Sequence, residues 1–114
     1  MIKRSSEMST VIAQGEIGTC KCLNFLDENE SYGAGNLFAI CSIAPGDKTA
    51  YHKHVTEYEV YYLLEGDAKL IQDDVEYILK AGDTCLCPIG SSHSIMNIGQ
   101  DELKFVALML FAQK

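Results

Sequence analysis

The stretch YEVYYLLEGDAKLIQDDVEYILKAGDTCLC, residues 58–87, decides the architecture. It holds four short apolar or alternating runs at 58–65, 68–72, 75–79 and 83–87. Gly66-Asp67, Asp73-Asp74 and Ala81-Gly82 break them at close intervals. Runs of this length, rich in Val, Ile, Leu and Tyr and closed by Gly and Asp, read as β-strands joined by tight turns. The same texture continues in both directions. Further strands are expected at 19–26, 37–44, 50–54, 92–98 and 103–112, separated by breakers at 27–35, Pro45-Gly46-Asp47, 88–90 and Gly99-Gln100-Asp101. No segment sustains a 3.6-residue apolar period, and strands do not alternate with helices. The expectation is an all-β sandwich or barrel.

A chain of 114 residues with 47 % hydrophobic and 22 % charged residues can bury a core as a single domain. Residues 17–114 are assigned to that one barrel domain, and residues 1–16 to an N-terminal arm available to a second subunit. The formal net charge is −7, and no basic stripe is present to neutralise phosphates. Nucleic acid and anionic membrane surfaces are therefore not expected partners. The single arginine, Arg4, lies near the N-terminus, so no interior guanidinium is on offer for a phosphate ligand. The basic start, Met1-Ile2-Lys3-Arg4, is followed by polar residues rather than an apolar leader core, and the expected location is the cytoplasm. Cys20, Cys22, Cys41, Cys85 and Cys87 make an odd count, which argues for reduced thiols rather than a disulfide framework.

The last run is apolar on both faces. Leu103, Phe105, Ala107, Met109 and Phe111 share one side; Lys104, Val106, Leu108, Leu110 and Ala112 share the other. A strand in a lone barrel buries one face and wets the other. The second face is expected to meet a second copy of the chain, as a homodimer. A covering loop or the N-terminal segment is the plainer alternative.

The chain has only three histidines, and all of them fit one site. His52 and His54 form an H-x-H pair whose period places both imidazoles on one face of a strand. Alone, that pair is a weak signal, equally at home on an exposed strand. Glu59 follows at the head of the next run, although its odd offset from His54 requires a turn between them, and Glu57 competes for the same role on spacing alone. His93 is the remaining histidine. Three imidazoles and a carboxylate suit one divalent transition metal (Mn, Fe, Co, Ni, Cu or Zn) and not Ca or Mg, which take oxygen shells.

At this point the sequence resembles a known family. Gly46-x5-His52-x-His54-x4-Glu59-x6-Gly66 is similar to the first signature of the cupins, and Gly82-x5-Pro88-x-Gly90-x2-His93-x3-Asn97 to the second. Every specified position is filled. Ten fixed positions at about 5 % each give a chance match of about 10⁻¹³. The resemblance covers residues 46–97 and implies a small jelly-roll double-stranded β-barrel. It implies that His52, His54, Glu59 and His93 converge in the barrel mouth, with Glu59 rather than Glu57 as the carboxylate. Four protein ligands leave two positions of an octahedral ion open to substrate, water or O₂. Gly46, Gly66, Gly82, Gly90, Pro88 and Asn97 read as structural, with Asn97 hydrogen-bonded to backbone.

Other residues are weighed beside these. Tyr61 and Leu63 share the parity of Glu59, and Ile95 that of His93, so all three are expected to line the pocket. Tyr61 is the candidate catalytic acid, against a plainer role as a core aromatic with a satisfied hydroxyl. Cys20-x-Cys22 and Cys85-x-Cys87 offer a soft sulfur site, against a plainer role as small apolar strand residues.

The expected function is metal-dependent enzymology on a small oxygenated molecule. The resemblance leaves dioxygenase, isomerase, decarboxylase and lyase chemistry open, and with them an oxidoreductase or isomerase assignment. The alternative is a non-catalytic metal or small-ligand sensor. A nucleotide-sugar epimerase reading is disfavoured by the intact ligand set and the missing interior arginine.

Overall fold

The computed structural model describes residues 1–113. After a short 3₁₀ turn at Ser5–Glu7, ten strands follow: β1 Ser9–Gln14, β2 Thr19–Asn24, β3 Gly35–Ile43, β4 His52–Lys53, β5 Glu57–Glu65, β6 Asp67–Gln72, β7 Val75–Lys80, β8 Thr84–Cys87, β9 Ser92–Asn97 and β10 Leu103–Phe111. Among the described residues there is no α-helix. Every strand pairing is antiparallel, in a six-stranded sheet ordered β1-β2-β3-β10-β5-β8 and a four-stranded sheet ordered β4-β9-β6-β7. Two facing antiparallel sheets joined by crossing connections form a jelly-roll barrel, in accord with the alternating runs.

The turn residues act as their chemistry requires. Asp73 and Asp74 link β6 to β7 and both take positive φ, 50° and 67°. That is the geometry of a tight hairpin whose twist matches the flanking strands. Gly90 adopts φ 92° in the turn leading to β9, and its amide donates to the His54 carbonyl at 2.7 Å. A side chain there would strain the turn that holds His54 beside His93.

Two features differ from the sequence reading. The 50–54 run pairs only at His52–Lys53; around it the chain is held by separate bonds, Thr49 N–H to the Ile95 carbonyl of β9 and His54 N–H to the Ser91 carbonyl just before β9. Within the stretch assigned to an arm, Ser9–Gln14 forms strand β1 on the edge of the larger sheet. All six of its residues are exposed, so no apolar face marks it; ladder hydrogen bonds to β2 define it.

Inward parity fills the barrel. Ile43, Leu63, Leu70, Ile95, Leu103 and Phe105 are buried between the sheets. Asn97 closes the end of β9. Its amide group donates to the Ile43 carbonyl at 2.9 Å and the Asp101 carbonyl at 2.8 Å, and its oxygen accepts from the Gly99 N–H. This is the backbone role expected for it.

Candidate metal centre

The site forms where the ends of the two sheets face each other. His52 on β4 is the register partner of His93 on β9 in the smaller sheet. His54 lies just past β4, and Glu59 reaches across from β5 in the larger sheet. The short turn between β4 and β5 corrects the odd offset between His54 and Glu59.

The four side chains converge on one point. The Nε2 atoms of His52 and His54 stand 3.1 Å apart, and those of His54 and His93 2.9 Å apart. Oε1 of Glu59 lies 2.9 Å from His93 Nε2, 3.2 Å from His54 Nε2 and 3.9 Å from His52 Nε2. The three imidazole centroids are each 4.8 Å from the others, with interplanar angles of 70–78°. Glu59, His54 and His93 are buried, whereas the His52 side chain is 42 % exposed.

Partners behind the rings favour the metal-ready tautomer. Nδ1 of His52 lies 2.8 Å from the Ala50 carbonyl, an acceptor only, so Nδ1 carries the proton and Nε2 a lone pair. Nδ1 of His54 faces the Glu57 carboxylate at 3.5 Å, with the same consequence. Thus Glu57, the competitor on spacing, stands behind His54, and Glu59 stands among the Nε2 atoms. Nδ1 of His93 is buried without a partner, so no acceptor behind that ring sets its tautomer. Lone pairs of several imidazoles and a carboxylate oxygen aimed at one another repel unless a cation or protons lie among them. The donor set therefore fits a single divalent metal.

Electrostatics agree. Burial acts to raise the Glu59 carboxyl, but the surrounding His52, His54 and His93 rings outweigh it and hold the group well below the carboxylate range. The Glu59 carboxylate raises His52, while burial lowers His93. The centre is thus an ionised carboxylate among imidazoles of unequal basicity.

A cavity of roughly 270 Å³ opens onto the cluster. His52 and Glu59 reach its wall; Tyr61, Phe105, Met109 and Leu37 make much of the rest, and Ala13, Gln14 and Gly15 close one side. The Tyr61 ring stacks on His93, centroids 5.1 Å apart and planes 11° from parallel. Burial and then the Glu59 charge push its phenol well above the ordinary tyrosine range. Leu63 and Ile95, expected to line the pocket, are not part of its wall. Both are fully buried in the core, because their inward faces point at the opposite sheet deeper in the barrel. Sequence reasoning missed the wall supplied by residues 13–15, which carry no apolar alternation, and the place of Glu57 behind His54.

Fold and site together define a β-barrel protein with a clustered His₃Glu donor set. The chain belongs to the cupins: the family model described as "Cupin domain" matches residues 39–110. A Thermotoga maritima protein named "Oxalate-binding protein" is 33 % identical over 113 residues, which is 96 % of this chain and 93 % of that one. A solved structure described as a predicted oxalate decarboxylase from Thermotoga maritima superposes with a TM-score of 0.89 at 31 % identity, covering 98 % of this chain and 100 % of that one. The cupin domain of Schizosaccharomyces pombe Cnp3 shares the fold alone, with a TM-score of 0.76 at 14 % identity over 91 % of this chain and 70 % of that one.

Proposed function

We propose that the chain binds one divalent transition metal through His52, His54, Glu59 and His93, and uses it to capture a small oxygen-donor acid of the oxalate type. The observation that carries this is the convergence of the three Nε2 atoms and the Glu59 oxygen beside a small, mostly apolar cavity. Among the described residues, the cavity wall contains neither lysine nor arginine. A carboxylate ligand therefore depends on the charge of the ion, because burying an anion without a positive partner is costly. The name of the Thermotoga maritima relative and the description of the Thermotoga maritima structure support the ligand class.

When bound, the metal supplies a Lewis acid with positions open to ligand oxygens. The chain's own residues do the rest. Ala50 and Glu57 fix the imidazole tautomers, the Tyr61 ring braces His93, and the apolar wall of Leu37, Phe105 and Met109 keeps water scarce.

The sequence reading places catalysis first. The cavity lining supports placing capture ahead of it. Among the described residues lining it, only Tyr61 and the thiols of Cys20, Cys22 and Cys41 titrate, apart from His52 and Glu59 of the donor set. Turnover by a dioxygenase, isomerase, decarboxylase or lyase route is the second reading, and it rests on Tyr61, whose ring stacks on a ligand imidazole.

Calorimetry with oxalate tests both readings, using metal-loaded and chelator-treated protein. Binding that requires the metal and leaves oxalate intact supports capture. Metal-dependent loss of oxalate supports turnover. No interaction with oxalate or related oxyacids in loaded protein overturns the ligand assignment.

We also propose a cytoplasmic homodimer. All five cysteines are free thiols, as a reducing compartment requires. On the outer face of the larger sheet, the half-buried Val106 and Leu108 of β10 lie among exposed Ile40, Tyr62 and Leu86. A contiguous apolar sheet face of this kind fits an isologous partner. Exposed Val11 and Ile12 on edge strand β1 give the N-terminal arm the means to join that contact.

A further inference from the structure

Three cysteines stand in the wall of the same cavity and take no part in the histidine cluster. Cys20 and Cys22 lie on β2, and Cys41 on β3 is the register partner of Cys22. The strand period puts Cys20 and Cys22 on one face, and that face looks into the barrel. Their sulfurs converge: Cys22 Sγ is 2.9 Å from Cys41 Sγ and 3.9 Å from Cys20 Sγ, and all three lie within 4.8 Å of one another. All three line the cavity, whose wall reaches solvent at Gln14, Ala50 and His52. The other C-x-C pair behaves differently. Cys85 and Cys87 on β8 join no group of three donors among the described residues. Simple packing accounts for Cys85 and Cys87; it does not require three sulfurs gathered around one point at a cavity wall.

Three convergent thiolates select soft, low-coordinate ions over hard ones. Charge then discriminates within that class. A univalent soft ion bound by three thiolates leaves a net charge of −2, and a divalent ion leaves −1. Among the described residues the lining supplies no lysine or arginine to compensate. A buried, unpaired negative charge is strongly disfavoured. A trivalent ion leaves the site neutral.

We infer that Cys20, Cys22 and Cys41 form a second site, for one trivalent thiophilic metalloid such as As(III) or Sb(III), in the wall of the cavity that the histidine cluster also faces. With arsenous acid the step is As(OH)₃ + 3 Cys–SH → As(S–Cys)₃ + 3 H₂O. Three As–O and three S–H bonds break, and three As–S bonds form. Each hydroxyl leaves as water with a thiol proton, and no oxidation state changes. The inference does not depend on what the histidine centre binds.

The test is titration of the reduced, full-length protein with arsenite. Near-ultraviolet arsenic–thiolate absorption and intact mass under native conditions follow the binding. The expected result is one arsenic per chain, with a mass gain of one arsenic less three hydrogens. Cys20→Ser, Cys22→Ser and Cys41→Ser should each weaken binding tenfold or more, and Cys85→Ser/Cys87→Ser should leave it unchanged. Cu(I) and Zn(II) should compete poorly for these sulfurs. Far-ultraviolet circular dichroism checks the fold of each variant, and the alanine variant replaces any serine variant that fails to fold. The inference is overturned by absence of uptake, by full affinity in any of the three single variants, or by loss of binding in the β8 double variant. Tighter binding of Cu(I) than of arsenite at the same sulfurs would overturn the charge argument. A Cys22–Cys41 disulfide that persists under thiol reductant would also sink it.

Discussion

Oε1 of Glu57 lies 3.5 Å from Nδ1 of His54, on the side of the ring away from the Nε2 atom that meets His93. The carboxylate faces the Nδ1 side of the ring and orients its outward nitrogen toward the cluster. Such partners typically matter 10–100-fold in metal affinity. Glu57→Ala should therefore weaken Zn(II) or Co(II) binding by about 10–100-fold. The stability of the metal-free protein should change by less than about 1 kcal/mol, since the Glu57 carboxylate is partly exposed. Competition titration with a chromophoric chelator checks the first value and urea unfolding the second. Unchanged affinity would remove Glu57 from the site.

Tyr61 separates bracing from chemistry. Its ring stacks on His93 and tilts against Phe105, with centroids 4.7 Å apart. Tyr61→Phe keeps both contacts and should retain metal affinity. Tyr61→Ala empties the space and should cost about 3–5 kcal/mol in urea unfolding, with weaker metal binding. If Tyr61→Phe holds metal normally but loses all conversion of a substrate, the hydroxyl is the acid of the second reading. If it loses metal as Tyr61→Ala does, the bracing account fails.

Much of this was legible in the sequence, for identifiable reasons. Runs such as 68–72 and 75–79 alternate and end on Asp73-Asp74, so both strands and their hairpin are local features. His52, His54 and His93 were legible because the chain has no other histidines. Strand β1 was not, because its six residues are exposed and only its pairing with β2 defines it. Leu63 and Ile95 have the correct inward parity, but parity gives a face and not a depth. Their depth depends on the opposite sheet, which places them in the core below the cavity. Cys41 meets Cys22 only through the β2–β3 register, across a loop whose length sets no spacing rule.

Acid should release the metal, and the order of titration is set by the site. A metal needs neutral imidazoles. The Glu59 carboxylate raises His52 above the ordinary value of 6.5, so His52 binds a proton before His93 as pH falls. Burial lowers His93, which competes for protons only at lower pH. Affinity for Zn(II) should thus begin to fall while the pH is still above 6.5. The stabilisation that metal gives should fall with it, from about 2.7 kcal/mol at a metal concentration 100 times Kd. Thermal unfolding with and without metal across that range checks this. A difference that stays constant down to pH 5 would contradict it.

Leu108 on β10 tests the assembly. It points away from the core, half-buried, with Val60 and Phe38 as register partners. Leu108→Asp should convert a dimer to a monomer in analytical ultracentrifugation while the monomer retains the metal centre, which faces the barrel interior. A wild-type protein that sediments as a monomer at micromolar concentration would overturn the proposed dimer.

The central claim is that His52, His54, Glu59 and His93 hold one metal ion. Elemental analysis of protein from metal-replete medium tests it most directly, paired with His52→Ala, whose half-exposed side chain can be removed with little loss of packing. The account predicts close to one divalent transition metal per chain in the wild type and a large loss in the folded variant. Metal-free wild-type protein, or equal occupancy in His52→Ala, would contradict it.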